Sequence, residues 1–344
     1  MRKGTVLVTG ATGFLGTSLL RRLLHDGERV RVLVRSPPSA KAVADRGAEV
    51  VVGDIADEDA VATAVEGVTT VYHLAGRLLV PEVAVAEYRR THVDGTRLLL
   101  ARCREESGLE RFVHCSTTGV LGITGRRPAD EDSPFRPTNI YEATKAEAEL
   151  AVRKACRDGL PAVIARPGLV YGPGDLHLLG FFRSVLRRRF RRIGRRDIWL
   201  HPIYIDDLTE GLILCGRHPA ALGECFHLAG RRPVALAQLA AAIAQAGGTQ
   251  LPPGHIPLLA ARAVATVVDL LPDRLRQVAP LTRNRLDFLT HERVYDVSKA
   301  RRVLEFSATT DLPTGAARSV AWYRGEGLLP ERQVLAGRLA LSRR

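Results

Sequence analysis

The stretch VLVTGATGFLG, Val6 to Gly16, places three glycines at intervals of three directly behind a β-branched apolar run. Such spacing marks either an ordinary turn or a point where something comes very close to the backbone. The residues that follow decide between them. In LGTSLLRRLLHDG, residues Leu15, Leu19, Leu23 and Leu24 share one helical face, and Gly27 is a plausible stop. A strand, then Gly10-x-x-Gly13-x-x-Gly16, then a helix is a dinucleotide-binding context. The glycines allow a tight turn and close approach of a pyrophosphate, and the helix N-terminus offers the anion unpaired N–H groups.

The rest of the chain repeats the strand–helix alternation. Apolar runs at Arg29–Val34, Ala48–Asp54, Thr70–Gly76, Arg111–Ser116 and Ala162–Gly168 are predicted strands. A loop is expected after Val34. Helices are expected around Ala56–Val65, through Asp94–Cys103 and from near Tyr141. Strand runs that are apolar on both faces predict an α/β fold, a doubly wound parallel sheet (Rossmann), with a smaller C-terminal α/β substrate lobe. The expected division is 1–172 with about 203–248 for the dinucleotide half, and about 173–202 with 249–344 for the substrate lobe.

Composition narrows the setting. A chain of 344 residues with 46% apolar and 25% charged residues can bury a large core. Its net charge of +13 favours anionic partners but says nothing about fold. Five scattered cysteines without CxxC or metal-ligand spacing fit a reducing compartment, so a cytoplasmic location is expected. MRKGTVLVTG enters a strand too soon to be a secretory signal, and no run of about 20 apolar residues predicts a membrane span. Aromatics, at 5%, give no basic stacking platform, so no nucleic-acid partner is expected.

Two strand ends refine the cofactor. An acidic residue ending the second strand takes the ribose hydroxyls of NAD(H), whereas a basic one tolerates the phosphate of NADP(H). Here the chain reads Val34-Arg35-Ser36, with Lys41 further on. NADP(H) is therefore favoured over NAD(H), the alternative being a solvated Arg35. Asp54 and Ile55, in GDI, end the third strand, and Asp54 is either an acceptor for the adenine amine or a helix cap.

Tyr141 and Lys145, in NIYEATKAEAE, stand one helical turn apart, so both side chains leave one face. An ammonium beside a phenol lowers the tyrosine pKa and makes it a usable acid and base. The alternative is an incidental surface pair. Upstream, CSTTGVLG ends a strand with Ser116, Thr117 and Thr118 at the ligand-binding edge of such a sheet. These hydroxyls either bind a reacting oxygen or are satisfied turn residues.

TGATGFLG, VYHLAG, STTGVLG, YEATK and RPGLVYGPGD occur in that order at fitting separations. This pattern resembles the extended short-chain dehydrogenase/reductase family, also called the NAD-dependent epimerase/dehydratase family, over nearly the whole chain. The resemblance implies a catalytic Thr117–Tyr141–Lys145 triad, with Ser116 as fallback for the threonine. It implies cofactor contacts from Gly10, Thr12, Gly13, Phe14, Leu15 and Gly16 of the turn. Arg35, Asp54 and Ile55, Leu74-Ala75-Gly76, Lys145 and Tyr141, and Pro167 to Val170 behind the nicotinamide complete the set. His92, in THVDGT, stands where the family commonly has asparagine, a departure expected to alter packing behind the site. Thr118-Gly119 replaces the Asp-Glu pair of the sugar-nucleotide dehydratases, so dehydration is not expected. YEATKAEAE, Leu281–Phe306 and Val320–Leu329 resemble the 3β-hydroxysteroid dehydrogenase-like branch. That implies a secondary alcohol or ketone on an apolar, steroid-like or acyl skeleton. A nucleotide-sugar epimerase would use the same triad, and a non-catalytic nucleotide-binding membrane or assembly protein is the third reading. The family also implies a homodimer through the helices of Asp94–Cys103 and Tyr141.

Three further stretches bear on partners. His255–Leu275 is nearly all apolar, interrupted by Arg262 and Asp269 and bounded by Pro257 and Pro272. It fits a lid, a buried helix or a helix in a membrane interface, the last giving peripheral contact at the inner membrane face. Arg183–Arg196 carries eight arginines, read as a solvated face, a phosphate-capture site or a lipid contact. In HPIYIDDLTEG, Asp206 and Asp207 read as helix caps rather than a catalytic pair. His73, His177, His201 and His227 form no ligand cluster, so no metal is expected.

Overall fold

The computed structural model describes residues 4–80, 83–271 and 281–330. Six strands come from the first half: β1 (Thr5–Thr9), β2 (Arg29–Val34), β3 (Glu49–Val52), β4 (Val68–His73), β5 (Arg111–Cys115) and β6 (Ala162–Pro167). With Cys225–Leu228 they form one seven-stranded parallel sheet in the order Cys225–Leu228, β6, β5, β4, β1, β2, β3. The apolar-on-both-faces pattern of β1 is used literally. Val6 and Val8 face Leu19, Leu20 and Leu23 of α1 (Phe14–His25), and Leu7 faces the other way, toward Val61, Leu99 and Val152. Helices cover both faces, which is the doubly wound architecture.

The winding reverses beside β1, which pairs with β2 on one edge and β4 on the other. Ligands bind such sheets at the carboxyl ends of the strands flanking that reversal. Gly10–Gly16 and Leu74–Gly76 both leave the sheet there.

Four local expectations need correction. Pro37–Ala44 is a helix, α2, where a loop was expected, and prolines at its first positions, Pro37 and Pro38, suit a helix start because their missing N–H groups would be unpaired anyway. The helix expected from Asp94 begins at Val85 and runs to Glu105, with an i→i+5 segment at Arg90–Asp94. Neither Asp206 nor Asp207 caps the helix Ile205–Arg217, whose N-cap residue is Tyr204. Asp207 instead accepts the N–H groups of Thr309 and Thr310 at 3.0 Å each, and Asp206 faces Arg21 at 3.6 Å. Asp54 is not a cap either. Asp57 caps the helix Glu58–Val65 by accepting Asp59 and Ala60 N–H, while Asp54 accepts Ala56 N–H at 3.0 Å.

A second core belongs to the C-terminal lobe. Helix Leu236–Gly247, expected with the dinucleotide half, packs against Leu179–Leu186 and Leu312–Gly325. Phe182 meets Tyr323 edge-on with ring centroids 5.0 Å apart.

Candidate active site

The glycine turn is built around close approach. Gly10 has φ +76°, and a Cβ there would stand 2.7 Å from the backbone of Leu74 and of Ala75. A Cβ on Gly16 would run into the Gly10 carbonyl, so α1 lies directly on the turn. Helix α1 starts at Gly13 with no side-chain cap and no acidic residue in its first turn. Thr12 and Gly13 are exposed and Phe14 and Leu15 half-buried, which leaves the first N–H groups facing the reversal point. These features fit a pyrophosphate.

The remaining residues expected to contact the cofactor lie as follows. Arg35 is exposed just past β2. Ile55 buries its side chain against Gly95. Pro167 ends β6 and accepts the Thr118 hydroxyl at 3.0 Å, with Val170 half-buried beyond it.

Tyr141 and Lys145 lie on the helix Ile140–Arg157. Its start is fixed by Asn139, whose side-chain oxygen accepts Glu142 N–H at 3.0 Å, while the Glu142 carboxylate takes the Thr138 N–H at 2.7 Å. Arg293 pairs with Glu142 at 3.0 Å and ties the C-terminal lobe to this first turn. The Lys145 ammonium donates to the Cys115 carbonyl at 2.6 Å. Burial lowers the Lys145 pKa and raises that of Tyr141; Lys145 is not among the groups acting on the phenol. The expectation that the ammonium alone brings the phenol toward neutrality is therefore not met in this arrangement.

The three hydroxyls after β5 separate cleanly. Ser116 is buried and donates to Glu149 at 2.6 Å. Thr118 is buried and donates to Pro167. Thr117 is partly open, accepts Gly119 N–H at 3.1 Å, and acts on the Tyr141 phenol to oppose the larger upward push of burial. Ser116, the fallback for the threonine, has its hydroxyl proton engaged by Glu149.

Under the site runs a charged network that sequence reasoning missed. Arg166, with a wholly buried side chain, forks onto Glu149 at 2.7 and 3.0 Å and donates to the Glu131 carbonyl at 3.1 Å. Glu149 stays below the usual carboxylate range because Arg166 and Ser116 offset its burial. One signal was available: Glu149 follows Lys145 by one turn on a helix face that is otherwise buried.

Histidines are also closer than their spacing suggested. His73 joins Thr9 and Thr96 at 2.8 Å each, and its ring lies 5.4 Å from that of His114. Thr96 and Thr144 spend their own protons on the carbonyls of His92 and Ile140. His73 therefore donates to Thr96 from Nε2, and His92 donates to Thr144 from Nδ1 at 2.8 Å. His92 Nε2 accepts the Arg77 N–H at 2.9 Å. Burial and the Lys145 charge push both histidines down to about 3, so both are neutral, as these bonds require. A directed chain of hydrogen bonds thus joins the end of β1 to the first turn of the Tyr141 helix.

Other singled-out residues lie apart. Among the described residues no group of three metal-ligating side chains is assembled. A groove of about 790 Å³ opens between Tyr171, Tyr204, Asp207, Arg231, Gln238 and Thr309, and none of Thr117, Tyr141 and Lys145 lines it. The segment Pro272–Leu275 lies outside the described residues.

Sheet, glycine turn and the Thr117–Tyr141–Lys145 grouping together define a dinucleotide-dependent oxidoreductase of the extended short-chain type. Residues 6–229 match the NAD dependent epimerase/dehydratase family, and the chain belongs to that family. It is similar to a 4-hydroxy-2-methyl-3-oxo-4-farnesyl-3,4-dihydroquinoline-1-oxide ketoreductase of Stigmatella aurantiaca, with 31% identity over 94% of this chain and 98% of the relative. A 3 beta-hydroxysteroid dehydrogenase/Delta 5-->4-isomerase of Mycobacterium tuberculosis is 32% identical over 88% and 86%. The crystal structure of gox2253 superposes with a TM-score of 0.79 at 29% identity, covering 95% of this chain and all of that one.

Proposed function

We propose that the chain transfers a hydride between NADP(H) and a secondary alcohol or ketone carried on an apolar skeleton. The observation that carries this reading is the buried Lys145 ammonium, one helical turn from Tyr141, fixed at 2.6 Å on the carbonyl of Cys115, which lies at the carboxyl end of β5 two residues before Thr117. Tyr141 exchanges a proton with the substrate oxygen, and Thr117 orients that oxygen. Lys145, whose ammonium is fixed on Cys115, binds the cofactor ribose from the same helix face. The nicotinamide, when bound, supplies or accepts the hydride.

The preference for the phosphorylated cofactor rests on Arg35, exposed at the end of β2 with no carboxylate beside it in the chain. The apolar skeleton rests on the likeness to relatives whose names give such substrates. The names of the two relatives above give a farnesyl-bearing dihydroquinoline oxide and a 3 beta-hydroxysteroid. The protein acts as a homodimer through the helices Val85–Glu105 and Ile140–Arg157, where Leu150 stands exposed, and works in the cytoplasm.

The test offers NADPH or NADH with a hydrophobic ketone, and UDP-hexose separately. Net oxidation of NADPH with the ketone is expected. Sugar interconversion without net cofactor change would replace this reading with an epimerase, and a preference for NADH would overturn the cofactor assignment.

A further inference from the structure

The helix Leu258–Asp269 is turned inside out. Its fully buried positions are small or modest: Val268, and Ala261 and Ala265, which pack in a minor core with Ile193 and Leu286, against which Leu258 is partly buried. Three of its large apolar side chains face solvent, Leu259 at 79%, Val267 at 60% and Val264 at 47% exposure, with Leu270 just beyond its end at 81%. At about 100° per residue, Leu259, Ala263, Val267 and Leu270 fall within one arc of roughly 80°, opposite the buried residues. Ile256, at the foot of the helix, adds to the patch at 36%. Folding alone does not account for a helix that buries alanines and exposes leucines, and contiguous exposed apolar surface marks a contact site.

The surroundings of the patch indicate what it contacts. The strand His255–Ile256 that leads into the helix pairs in parallel with Arg192–Ile193, and Gly194 N–H donates to the Ile256 carbonyl at 2.8 Å. This register brings the arginine run to the foot of the apolar face. Arg187, Arg188, Arg189, Arg191, Arg195 and Arg196 are exposed, and among the described residues none of them meets a carboxylate in an ion pair. Arg262 lies beside the apolar arc and is exposed as well.

We propose that this face seats on an anionic lipid bilayer. Leu259, Val267 and Leu270 enter the boundary between headgroups and acyl chains, and the arginines of 187–196 meet lipid phosphates. No helix among the described residues is long and apolar enough to cross a membrane, so the contact is in the plane of the interface. A second copy of the chain is a poorer occupant. A twofold pairing of this face would bring two unpaired arginine runs together, and like charges opposed across an interface are destabilising. The placement is independent of which ketone the active site reduces.

The test sediments the full chain with vesicles of phosphatidylcholine alone and of phosphatidylcholine with phosphatidylglycerol. Binding is expected to the anionic vesicles only and to weaken in high salt. Leu259→Gln with Leu270→Gln is expected to lower the partition coefficient about tenfold or more, with the melting temperature and dinucleotide retention unchanged. Replacing Arg189, Arg195 and Arg196 by Gln removes the preference for anionic lipid. In the wild-type chain, vesicles are expected to protect the amides of 256–270 from hydrogen exchange, a readout that needs no variant. Absence of pelleting with anionic vesicles, or equal pelleting of the doubly substituted chain, would overturn the proposal. So would a vesicle-free dimer that the double substitution dissolves, which would assign the face to a second copy.

Discussion

Lys145 Nζ stands 2.6 Å from the Cys115 carbonyl oxygen, anchored to the end of β5 rather than to the phenol one turn before it. The lysine is thereby held at the sheet edge while Thr117, two residues past Cys115, acts on the phenol of Tyr141. The short segment Cys115–Thr117 at the end of β5 thus fixes the lysine and acts on the tyrosine.

That division of labour predicts distinct outcomes for neighbouring hydroxyls. Tyr141→Phe is expected to lower kcat by about 10²–10⁴ with little change in dinucleotide affinity. Thr117→Val should lower kcat by about 10². Ser116→Ala, which removes a donor to Glu149 instead, should leave kcat within a fewfold and destabilise the fold by about 1 kcal/mol. Steady-state kinetics and urea unfolding of the three variants separate these roles; equal kinetic loss in Thr117→Val and Ser116→Ala would contradict the assignment.

Glu149→Ala strands the guanidinium of Arg166 in the core. The expected loss is about 3–5 kcal/mol, because an uncompensated buried cation remains. Removing both members as Glu149→Leu with Arg166→Met should cost less than the single change, which a double-mutant cycle in urea would measure.

His92 bridges the segment after Gly76 and the Tyr141 helix through two specific nitrogens. His92→Phe keeps the ring and loses both bonds, so weaker dinucleotide binding is expected along with a stability loss of about 1–3 kcal/mol. His92→Asn can restore one of them and should recover part of the affinity. Dinucleotide titration by fluorescence checks this; unchanged affinity in His92→Phe would remove the bridging role.

Acid should unfold the protein early. His73, His92 and His227 are pushed by burial down to about 3, whereas an unfolded histidine titrates near 6.5. Between those values the unfolded chain binds more protons, so stability is complete above about pH 6.5 and falls as pH drops. Each histidine contributes a slope of up to about 1.4 kcal/mol per pH unit in that window. Melting temperatures recorded from neutral to mildly acidic pH should decline steadily, and a flat profile would show that these rings titrate freely.

Gly10→Ala is expected to abolish dinucleotide retention. The substitution strains a backbone at φ +76° and pushes a methyl group into Leu74 and Ala75. Gel filtration with bound cofactor read by absorbance tests it. A variant that still carries dinucleotide would show that the turn has room to spare.

Much of the frame was legible because it follows from local spacing. The glycine interval, the one-turn offset of Tyr141 and Lys145, and strand runs apolar on both faces each encode their geometry within a few residues. Pro37–Ala44 lies where a loop is expected, although two prolines suit the first positions of a helix. Asp54 and Asp57 both precede the same helix, and only the observed backbone shows which one caps it.

The chain order alone determined a parallel, doubly wound sheet with a dinucleotide turn at its first strand, since hydrophobic period and glycine placement are local properties. It could not determine which of Ser116, Thr117 and Thr118 faces the tyrosine, nor that Glu149 and Arg166 meet beneath it. Nor could it reveal that Leu258–Asp269 turns its leucines outward beside the arginines of 187–196. Those choices depend on what each side chain finds across the fold, from partners up to about 60 residues away in the chain, and only the packed structure brings such partners within bonding distance.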